Sequence, residues 1–382
     1  MGSLHMASNK IDFKLYDPFS QLHRVKEIWV SLLKKCPHSY YLSWSWIETW
    51  VQSLPVDCNI SLVAGLKDKS PVIAFFLGFK TLTRHKFFKV SQIALNQTLI
   101  PYIDIPTYIE YNAMLIDPAI TISLESFLEQ LPVKSWDEFF IARCSSIYQS
   151  NLIINQNLSE KYELNIEKIK SYYINLDKVR SSNNDYLSLL SHNKRKQIRR
   201  SIKEYEKMGE IQTEIADNLE TALKIYEEMI ELHQKRWTER GHPGVFSNQY
   251  AVDFYKTLIH KRFDYGEIQL IRTHAGNQTI GCQYNYAYNG DVFAILSGFN
   301  YIEGSHYRPG IISDYCAILH NAKKSMRTYD YLQGDYEYMK SMSTDTNIMD
   351  TITIQKKSIK LEVERIMVKL YRIYKKALAL VV

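Results

Sequence analysis

Apolar side chains recur at helical spacing in several parts of this chain. Between residues 18 and 54 they return every three or four positions, which predicts two amphipathic helices. The same spacing predicts helices at 120–131, 218–232 and 359–380. Asn184 or Asp185 can cap a further long helix, whose continuation at 193–203 carries six basic residues before the first acid.

Shorter apolar runs bounded by turn residues predict strands. Two hairpins are expected, because a Lys-Asp-Lys-Ser-Pro turn joins runs at 60–66 and 72–79, and Asn289-Gly290 joins runs at 280–288 and 292–299. Other strands are predicted at 112–116, 138–142, 173–177 and 267–272. Strands that alternate with helices indicate an α/β fold with mixed α+β sheets and helices packed on each sheet.

The order of these elements divides the chain into two units. We expect an N-terminal domain at 11–170, a C-terminal domain at 171–355 and a basic C-terminal helix at 356–382. Residues 1–8 read MGSLHMAS, which is typical of a vector-derived leader, and they contribute nothing to the predicted fold.

Composition excludes several classes of protein. The chain has 382 residues, 46% of them hydrophobic, which is enough for a large core. No apolar run is long enough to cross a bilayer and no signal peptide follows the leader, so a cytoplasmic protein is expected. Five scattered cysteines and eleven histidines without ligand spacing predict neither a disulfide framework nor a metal site. A net charge of +6 suits an anionic ligand, a nucleic acid or a lipid surface.

The segment with most chemical information lies near the end of the chain. It reads Tyr307-Arg308-Pro309-Gly310, then about twenty residues of helical pattern, then a strand that ends at Gly334-Asp335. A glycine that opens a helix lets backbone N–H groups approach an anion, which predicts a phosphate-bearing ligand. The plain alternative is an ordinary strand-to-helix turn.

Five motifs, in order, resemble the CelD/BioF2-like acetyltransferase group of the GNAT superfamily, which is related to the FemAB aminoacyltransferases. They are Tyr186-Leu187, residues 193–200, residues 233–237, residues 307–310, and residues 329–335 with Tyr338 and Lys340. The resemblance covers roughly residues 15–375 and implies two tandem GNAT-like domains, the second retaining the acyl-CoA site. GNAT enzymes typically carry Arg/Gln-x-x-Gly-x-Gly/Ala at the pyrophosphate turn, whereas this chain has only Arg308-Pro309-Gly310 and therefore fewer free amide donors.

The resemblance implies an acyltransferase that moves an acetyl or other acyl group from acyl-CoA to an amine of a sugar, amino acid or envelope precursor, by direct attack in a ternary complex. The residues expected to bind the donor are Ser297, Gly298, Tyr307, Arg308, Gly310, Ile311 and Ile312. The expected catalytic residues are Asp335 and His233 as candidate bases, Tyr338 as the acid and Lys340 as a charge partner. Trp237, Tyr284, Tyr286, Lys194 and Arg199 are expected to contact the substrate.

Structural explanations and other functions remain open for the same residues. Asp335 fits a solvated turn, His233 a buried pair with Trp237, and the alternating tyrosines fit strand packing. The basic run fits a solvated helix face, but it also fits aminoacyl transfer from aminoacyl-tRNA, or a non-catalytic module that binds an anionic membrane or a partner. An acyl-carrier protein is an alternative donor, and the basic helices predict peripheral membrane contact.

Overall fold

A computed structural model describes residues 11–148, 151–154, 158, 160–304 and 306–379. The predicted leader at 1–8 lies outside the described residues, as does residue 380 at the predicted end of the last helix.

The N-terminal half begins with a strand, two helices and an antiparallel run of strands. Its elements are β1 (Asp12–Tyr16), α1 (Leu22–Leu33), α2 (Trp44–Ser53), β2 (Ile60–Lys67), β3 (Ser70–Arg84), β4 (Phe88–Leu95), α3 (Pro101–Asp104), β5 (Leu115–Ile116), β6 (Ile122–Ser123), α4 (Leu124–Gln130), β7 (Glu138–Ser145), β8 (Leu152–Ile153) and β9 (Tyr162–Asn175). The two predicted helices and the first predicted hairpin are confirmed.

The C-terminal half repeats that order after two linking helices. Its elements are α5 (Leu176–Ser181), α6 (His192–Glu206), β10 (Ile211–Ile215), α7 (Leu219–Glu239), α8 (Gln249–Arg262), β11 (Ile268–Ala275), β12 (Gln278–Tyr288), β13 (Asp291–Phe299), α9 (Pro309–Lys323), β14 (Thr328–Gln333), α10 (Glu337–Met342), β15 (Asp345–Lys356) and α11 (Ile359–Ala379). The second predicted hairpin, at Asn289-Gly290, is confirmed.

The main sheet joins the two halves and shows the repeat directly. Its order is β1-β2-β3-β4-β7-β15-β9-β14-β13-β12-β11-β10, with β5 paired to β3. In each half four antiparallel strands are followed by a parallel contact, β4 with β7 and β13 with β14. The fold is therefore two copies of one α/β arrangement, a repeat that is not visible in the sequence.

The halves exchange their last strands. The last strand of the N-terminal half, β9, pairs with β14 of the C-terminal half, and β15 lies between β7 and β9. Buried Asp330 on β14 reinforces the junction, because it accepts hydrogen bonds from the hydroxyls of Tyr111 and Ser171. The boundary predicted at residue 170 falls inside β9, while both predicted domains keep their own helices and strands.

Several elements differ from their predictions for local reasons. The long helix predicted from Asn184 or Asp185 is interrupted: residues Tyr186–Leu189 form a 3₁₀ turn, and Ser191 then caps α6 by accepting from the Lys194 amide. The helix predicted at 218–232 is capped by Asn218 and runs seven residues beyond 232, to Glu239. The predicted strand end at Gly334-Asp335 is followed by a short helix, α10, which begins at Glu337.

Helices cover both faces of the sheet and leave one apolar stripe exposed. On β12, Tyr284 and Tyr286 are buried beneath α7 and α8, whereas Gln283 and Asn285 face α9. The exposed stripe belongs to α11, where Ile366, for example, is 53% exposed. Within the described ranges, no helix combines the length and apolar character needed to pass through a bilayer.

Candidate functional site

A cleft opens where β13 and β14 separate. These parallel strands pair only from Asp291 to Phe293, opposite Thr328 to Asp330, although β13 continues to Phe299. Within the described residues, the edge of β13 beyond Phe293 therefore faces a cavity of about 280 Å³ and has no strand partner there. Unpaired strand edges present backbone N–H groups, so this edge can donate hydrogen bonds to a ligand.

A bulge in β13 marks the vertex of this cleft. Tyr284 is opposite Leu296 and Asn285 is opposite Ala294, which leaves Ile295 without a partner on β12. Such a bulge increases the local twist and bends the strand. Leu296, Ser297 and Phe299 consequently line the cleft, as the predicted donor-binding role of Ser297 requires.

The first turn of α9 stands at one end of the cleft. Pro309 has no N–H, no side chain caps the helix, and the Ile312 amide already donates to the Arg308 carbonyl. Gly310 and Ile311 supply the remaining first-turn amides, so Ile312 is removed from the predicted donor set. A Cβ on Gly310 would lie 3.1 Å from the Phe299 ring, which explains why glycine stands at this close approach.

Positive charge gathers beside this helix terminus. The Ser201 hydroxyl of α6 accepts a hydrogen bond from the Arg308 amide, and the ring of Tyr205 packs on that of Tyr307. Burial and the nearby Arg308 guanidinium lower the pKa of Lys194, which shows that the two cations are close together. Arg308, Lys194 and the α9 terminus therefore place positive charge near the Phe299 end of the cleft, here called the anion-binding end for the kind of ligand group that it suits.

The remaining basic residues of α6 form a separate surface, here called the α6 surface. It surrounds a cavity of about 460 Å³ lined by His192, Arg195, Lys196, Arg199, Arg200 and Lys203. Arg199 thus lies on this exposed side, away from the half-buried Lys194. The single stripe predicted from the sequence is divided between two faces of the helix.

His233 approaches the vertex of the cleft from α7. Its Nδ1 lies 3.0 Å from the Ser297 carbonyl and must donate, because a carbonyl oxygen only accepts. This leaves a lone pair on Nε2, which is buried and has no hydrogen-bond partner among the described residues. Burial lowers the pKa of His233, so the ring is neutral at pH 7 and can accept a proton.

Gly298 allows α7 to approach β13 this closely. A Cβ at this position would lie 2.2 Å from the Met229 carbonyl oxygen and 3.0 Å from the His233 amide. Gly298 therefore positions His233 against the strand, and this packing role is its clearest function in the structure.

Asp314 gives the cleft a polar floor that the sequence analysis did not identify. Its carboxylate accepts a hydrogen bond of 2.8 Å from Gln283, and both side chains line the cleft. Burial raises the pKa of Asp314 to about 7. The sequence does contain a signal for this residue, since an aspartate stands on the apolar face of α9. Its neighbours on that face are Ile311, Ile312, Ala317 and Ile318.

The four predicted catalytic residues are divided by the fold. Tyr338 lines the cleft on the side of α10, and burial beside Asp314 raises the pKa of its hydroxyl, which keeps it protonated. Asp335 and Lys340 are exposed, and Asp335 accepts a hydrogen bond of 3.2 Å from Tyr172. Tyr338 thus lines the cleft and His233 contacts it through the Ser297 carbonyl, whereas Asp335 and Lys340 lie outside its lining.

The predicted substrate contacts are divided in the same way. Tyr284 and Tyr286 are no more than 1% exposed and belong to the hydrophobic core, so neither ring has surface to offer a substrate. Trp237, which was expected in a loop, stands on α7 and lines a second cavity of about 470 Å³. His233 lines this cavity too, and Ile295 and Leu296 line both this cavity and the cleft.

The N-terminal half contributes residues to both cavities. Tyr108 lines the cleft and the second cavity, with the Arg143 guanidinium 4.1 Å from its ring centre. The neighbouring Glu110 is fully buried, accepts from the Gln333 amide at 2.7 Å, and has its pKa raised by burial to about 8. No local sequence signal points to these residues, because only the tertiary fold brings them to the C-terminal half.

The two halves differ at the helix that follows the fourth antiparallel strand. The helix that follows β4 is only the four-residue α3, in contrast to the fifteen-residue α9 after β13. Among the described residues, no three His, Cys, Asp or Glu side chains are grouped to hold a metal ion.

Comparisons with known proteins agree with this division. Residues 192–340 match the family model described as Acetyltransferase (GNAT) domain. No curated protein matches the sequence.

Solved structures resemble the chain over most of its length. The crystal structure of FemX has a TM-score of 0.50 and 11% identity over 85% of this chain and 95% of its own. A conserved protein of unknown function from Bacteroides thetaiotaomicron VPI-5482 has a TM-score of 0.48 and 10% identity, covering 91% and 100%. A tandem GNAT protein from the clavulanic acid biosynthesis pathway has a TM-score of 0.46 and 8% identity, covering 91% and 98%.

The match to the family model and the structural repeat together identify the fold. Residues 192–340 cover β10 to β14 with their helices, and the N-terminal half has the same order of elements. The predicted fold class is therefore confirmed. The chain has a tandem GNAT-like fold, and residues 192–340 of its second half match the model of a GNAT acetyltransferase domain.

Proposed function

We propose that the cleft between β13 and β14 transfers an acyl group from acyl-CoA to an amine. The observation that carries the proposal is the continuity of the cleft. Its lining runs from Phe299, beside the anion-binding end, to Ile295 and Leu296, which also border the cavity of His233. An acyl-CoA carries phosphates at one end and a thioester at the other. The phosphates match the anion-binding end, and the thioester matches the part of the cleft beside His233.

The residues along the cleft suggest a direct transfer. His233 Nε2 accepts a proton from the acceptor amine while Nδ1 stays bound to the Ser297 carbonyl. The amine nitrogen bonds to the thioester carbon, whose oxygen meets N–H groups on the open edge of β13. The carbon–sulfur bond then breaks, and the Tyr338 hydroxyl supplies a proton to the thiolate. Asp335 and Lys340 lie outside the cleft lining, and we assign them contact with the acceptor or with a phosphate that extends from the cleft.

Calorimetry with acetyl-CoA and CoA tests the donor site. Arg308→Ala should weaken binding about tenfold, the usual value of one charge-assisted hydrogen bond. Arg240→Ala, which removes an exposed arginine at the end of α7, serves as the matched control and should leave binding unchanged. Absence of CoA binding by the unaltered protein, together with no thiol release in the presence of amines, would reject the proposal.

Aminoacyl transfer from aminoacyl-tRNA is the second candidate, and the α6 surface favours it. Six basic side chains and no acidic ones line this surface, which adjoins the donor end of the cleft through Ser201. If tRNA binds there, affinity should fall steeply as salt increases, and Lys196→Glu should weaken it further. Affinity for CoA without affinity for tRNA would exclude this candidate.

The predicted partners and location remain part of the proposal. An acyl-carrier protein would present the same phosphopantetheine thioester, and comparison of acyl-CoA with an acylated carrier protein as donor distinguishes them. Peripheral membrane contact through the basic helices would appear as sedimentation with anionic vesicles that is lost in high salt. Assignment to the CelD/BioF2-like group and a cytoplasmic location are likewise part of this proposal.

A further inference from the structure

The cavity beside His233 has a chemical character unlike that of the donor cleft. Aromatic rings of Tyr41, Tyr108, Trp237 and Tyr255 line it, together with aliphatic side chains such as those of Ile105 and Leu296. Its volume of about 470 Å³ falls in the range of small-molecule sites. The occupant therefore meets mostly apolar surface.

Charged side chains are missing from this lining. Among the described residues that form it, none is Asp, Glu, Lys or Arg, and the histidines are His233 and His242. The donor cleft, by contrast, contains Asp314 and Gln283. A carboxylate placed in the apolar cavity would lose its hydration without gaining a cation, and a sugar would leave several hydroxyls without partners.

The position of the cavity identifies which substrate it would hold. Tyr108, Ile295, Leu296 and Leu332 line both this cavity and the donor cleft, so the two spaces meet at the vertex. The unpartnered Nε2 of His233 belongs to the residue that borders the apolar side. A molecule bound there would bring its reactive nitrogen to the base and to the thioester.

We propose that the acceptor is a primary amine carried on an apolar or aromatic body, in place of the sugar or amino acid suggested by the sequence. The proposal rests on the acyl transfer proposed above, because it names the substrate of the same site. Both halves of the chain build this specificity, since Tyr41, Ile105 and Tyr108 come from the N-terminal half and Trp237 and Leu296 from the C-terminal half.

Fluorescence titration tests the acceptor class without any turnover. Trp237 is 38% exposed and lines the cavity, whereas the other five tryptophans are no more than 9% exposed. Quenching by 2-phenylethylamine should be lost in Trp237→Phe. Phenylalanine differs from this amine by one carboxylate, and both phenylalanine and glucosamine should bind at least about tenfold more weakly, because their extra polar groups lose water without replacement.

A pair of matched variants separates the cavity from the rest of the surface. Ile105→Ser should raise the Kd of 2-phenylethylamine by about threefold to tenfold, since Ile105 is 67% exposed and loses only part of an apolar contact. Val56→Ser makes a similar change at a residue that is 86% exposed and far from the lining, and should change nothing. The Kd of acetyl-CoA should stay constant in both variants.

Three outcomes would overturn the acceptor class. One is binding of glucosamine or phenylalanine as tight as that of 2-phenylethylamine. Another is no quenching by 2-phenylethylamine that depends on Trp237. The third is tighter binding of octanoyl-CoA than of acetyl-CoA that disappears in Ile105→Ser, which would assign the cavity to the acyl chain. If the protein binds 2-phenylethylamine more tightly than the polar amines but transfers no acyl group, the proposed function is wrong. The preference of the cavity for an apolar amine would still be supported.

Discussion

Replacing Asp314 by asparagine is expected to stabilise the protein at neutral pH but not at pH 4. Burial raises the pKa of this carboxyl from 3.8 to about 7, although Tyr331 and Gln283 partly oppose the effect. When a carboxyl has a higher pKa in the folded state than in the unfolded state, its contribution to stability is fully present below the unfolded-state pKa. That contribution is lost as the pH rises to the folded-state pKa. Because each tenfold change in proton affinity is worth about 1.4 kcal/mol, this interval corresponds to about 4 kcal/mol.

Urea unfolding at several pH values measures this effect. The free energy of unfolding of Asp314→Asn, minus that of the unaltered protein, should grow by about 3 kcal/mol between pH 4 and pH 7, most of the full effect. Asp57→Asn makes the same chemical change at an exposed residue, and its difference should stay nearly constant. If the Asp314→Asn difference is equally flat, the carboxyl is solvated in the folded protein and the polar floor of the cleft is wrongly described.

Three further changes test the positioning of the site. His233→Asn should lower kcat by about 10² or more while the Kd of acetyl-CoA stays the same. In the unaltered enzyme kcat/KM should rise with pH through a value below 6.5, because burial lowers the pKa of His233. An identical pH profile in the variant would exclude His233 as the base. Gly298→Ala should cost about 1–3 kcal/mol of stability, since the Cβ of the new alanine would lie 2.2 Å from the Met229 carbonyl oxygen. An unchanged melting temperature would contradict the close packing of α7 on β13. At pH 7, Glu110→Gln should be at least as stable as the unaltered protein, because burial raises the pKa of Glu110 to about 8. Glu110→Ala should lose about 1–3 kcal/mol, because it leaves the Gln333 backbone amide without an acceptor. Equal stability of the two variants in urea would refute the role of Glu110 as that acceptor.

Regular periodicity made much of the fold predictable. The hairpin at Asn289-Gly290 and the helix after Gly310 follow from local turn chemistry and apolar spacing. β15 was missed because a register shift between Asp350 and Ile352 breaks its alternation of buried and exposed residues. α7 was predicted too short because its last turns are polar, although no helix breaker occurs before Gly241.

The site was predictable where it depends on local motifs. His233, Arg308 and Tyr338 belong to such motifs, and the structure brings each of them to the cleft or to its anion-binding end. Tyr108 and Glu110 belong to no motif and reach the site only because the halves pack together. The exposure of Asp335 and the burial of Tyr284 depend likewise on neighbours distant in sequence.

The exchanged strands bear on how the protein is made on the ribosome. β15 is synthesised after every other described strand, yet it lies between β7 and β9 in the middle of the sheet. Until residue 356 has left the exit tunnel, the inner edges of β7 and β9 have no partner and can pair with other chains. Productive folding of the first half therefore waits for the second, which favours fast elongation or a chaperone that shields these edges during synthesis.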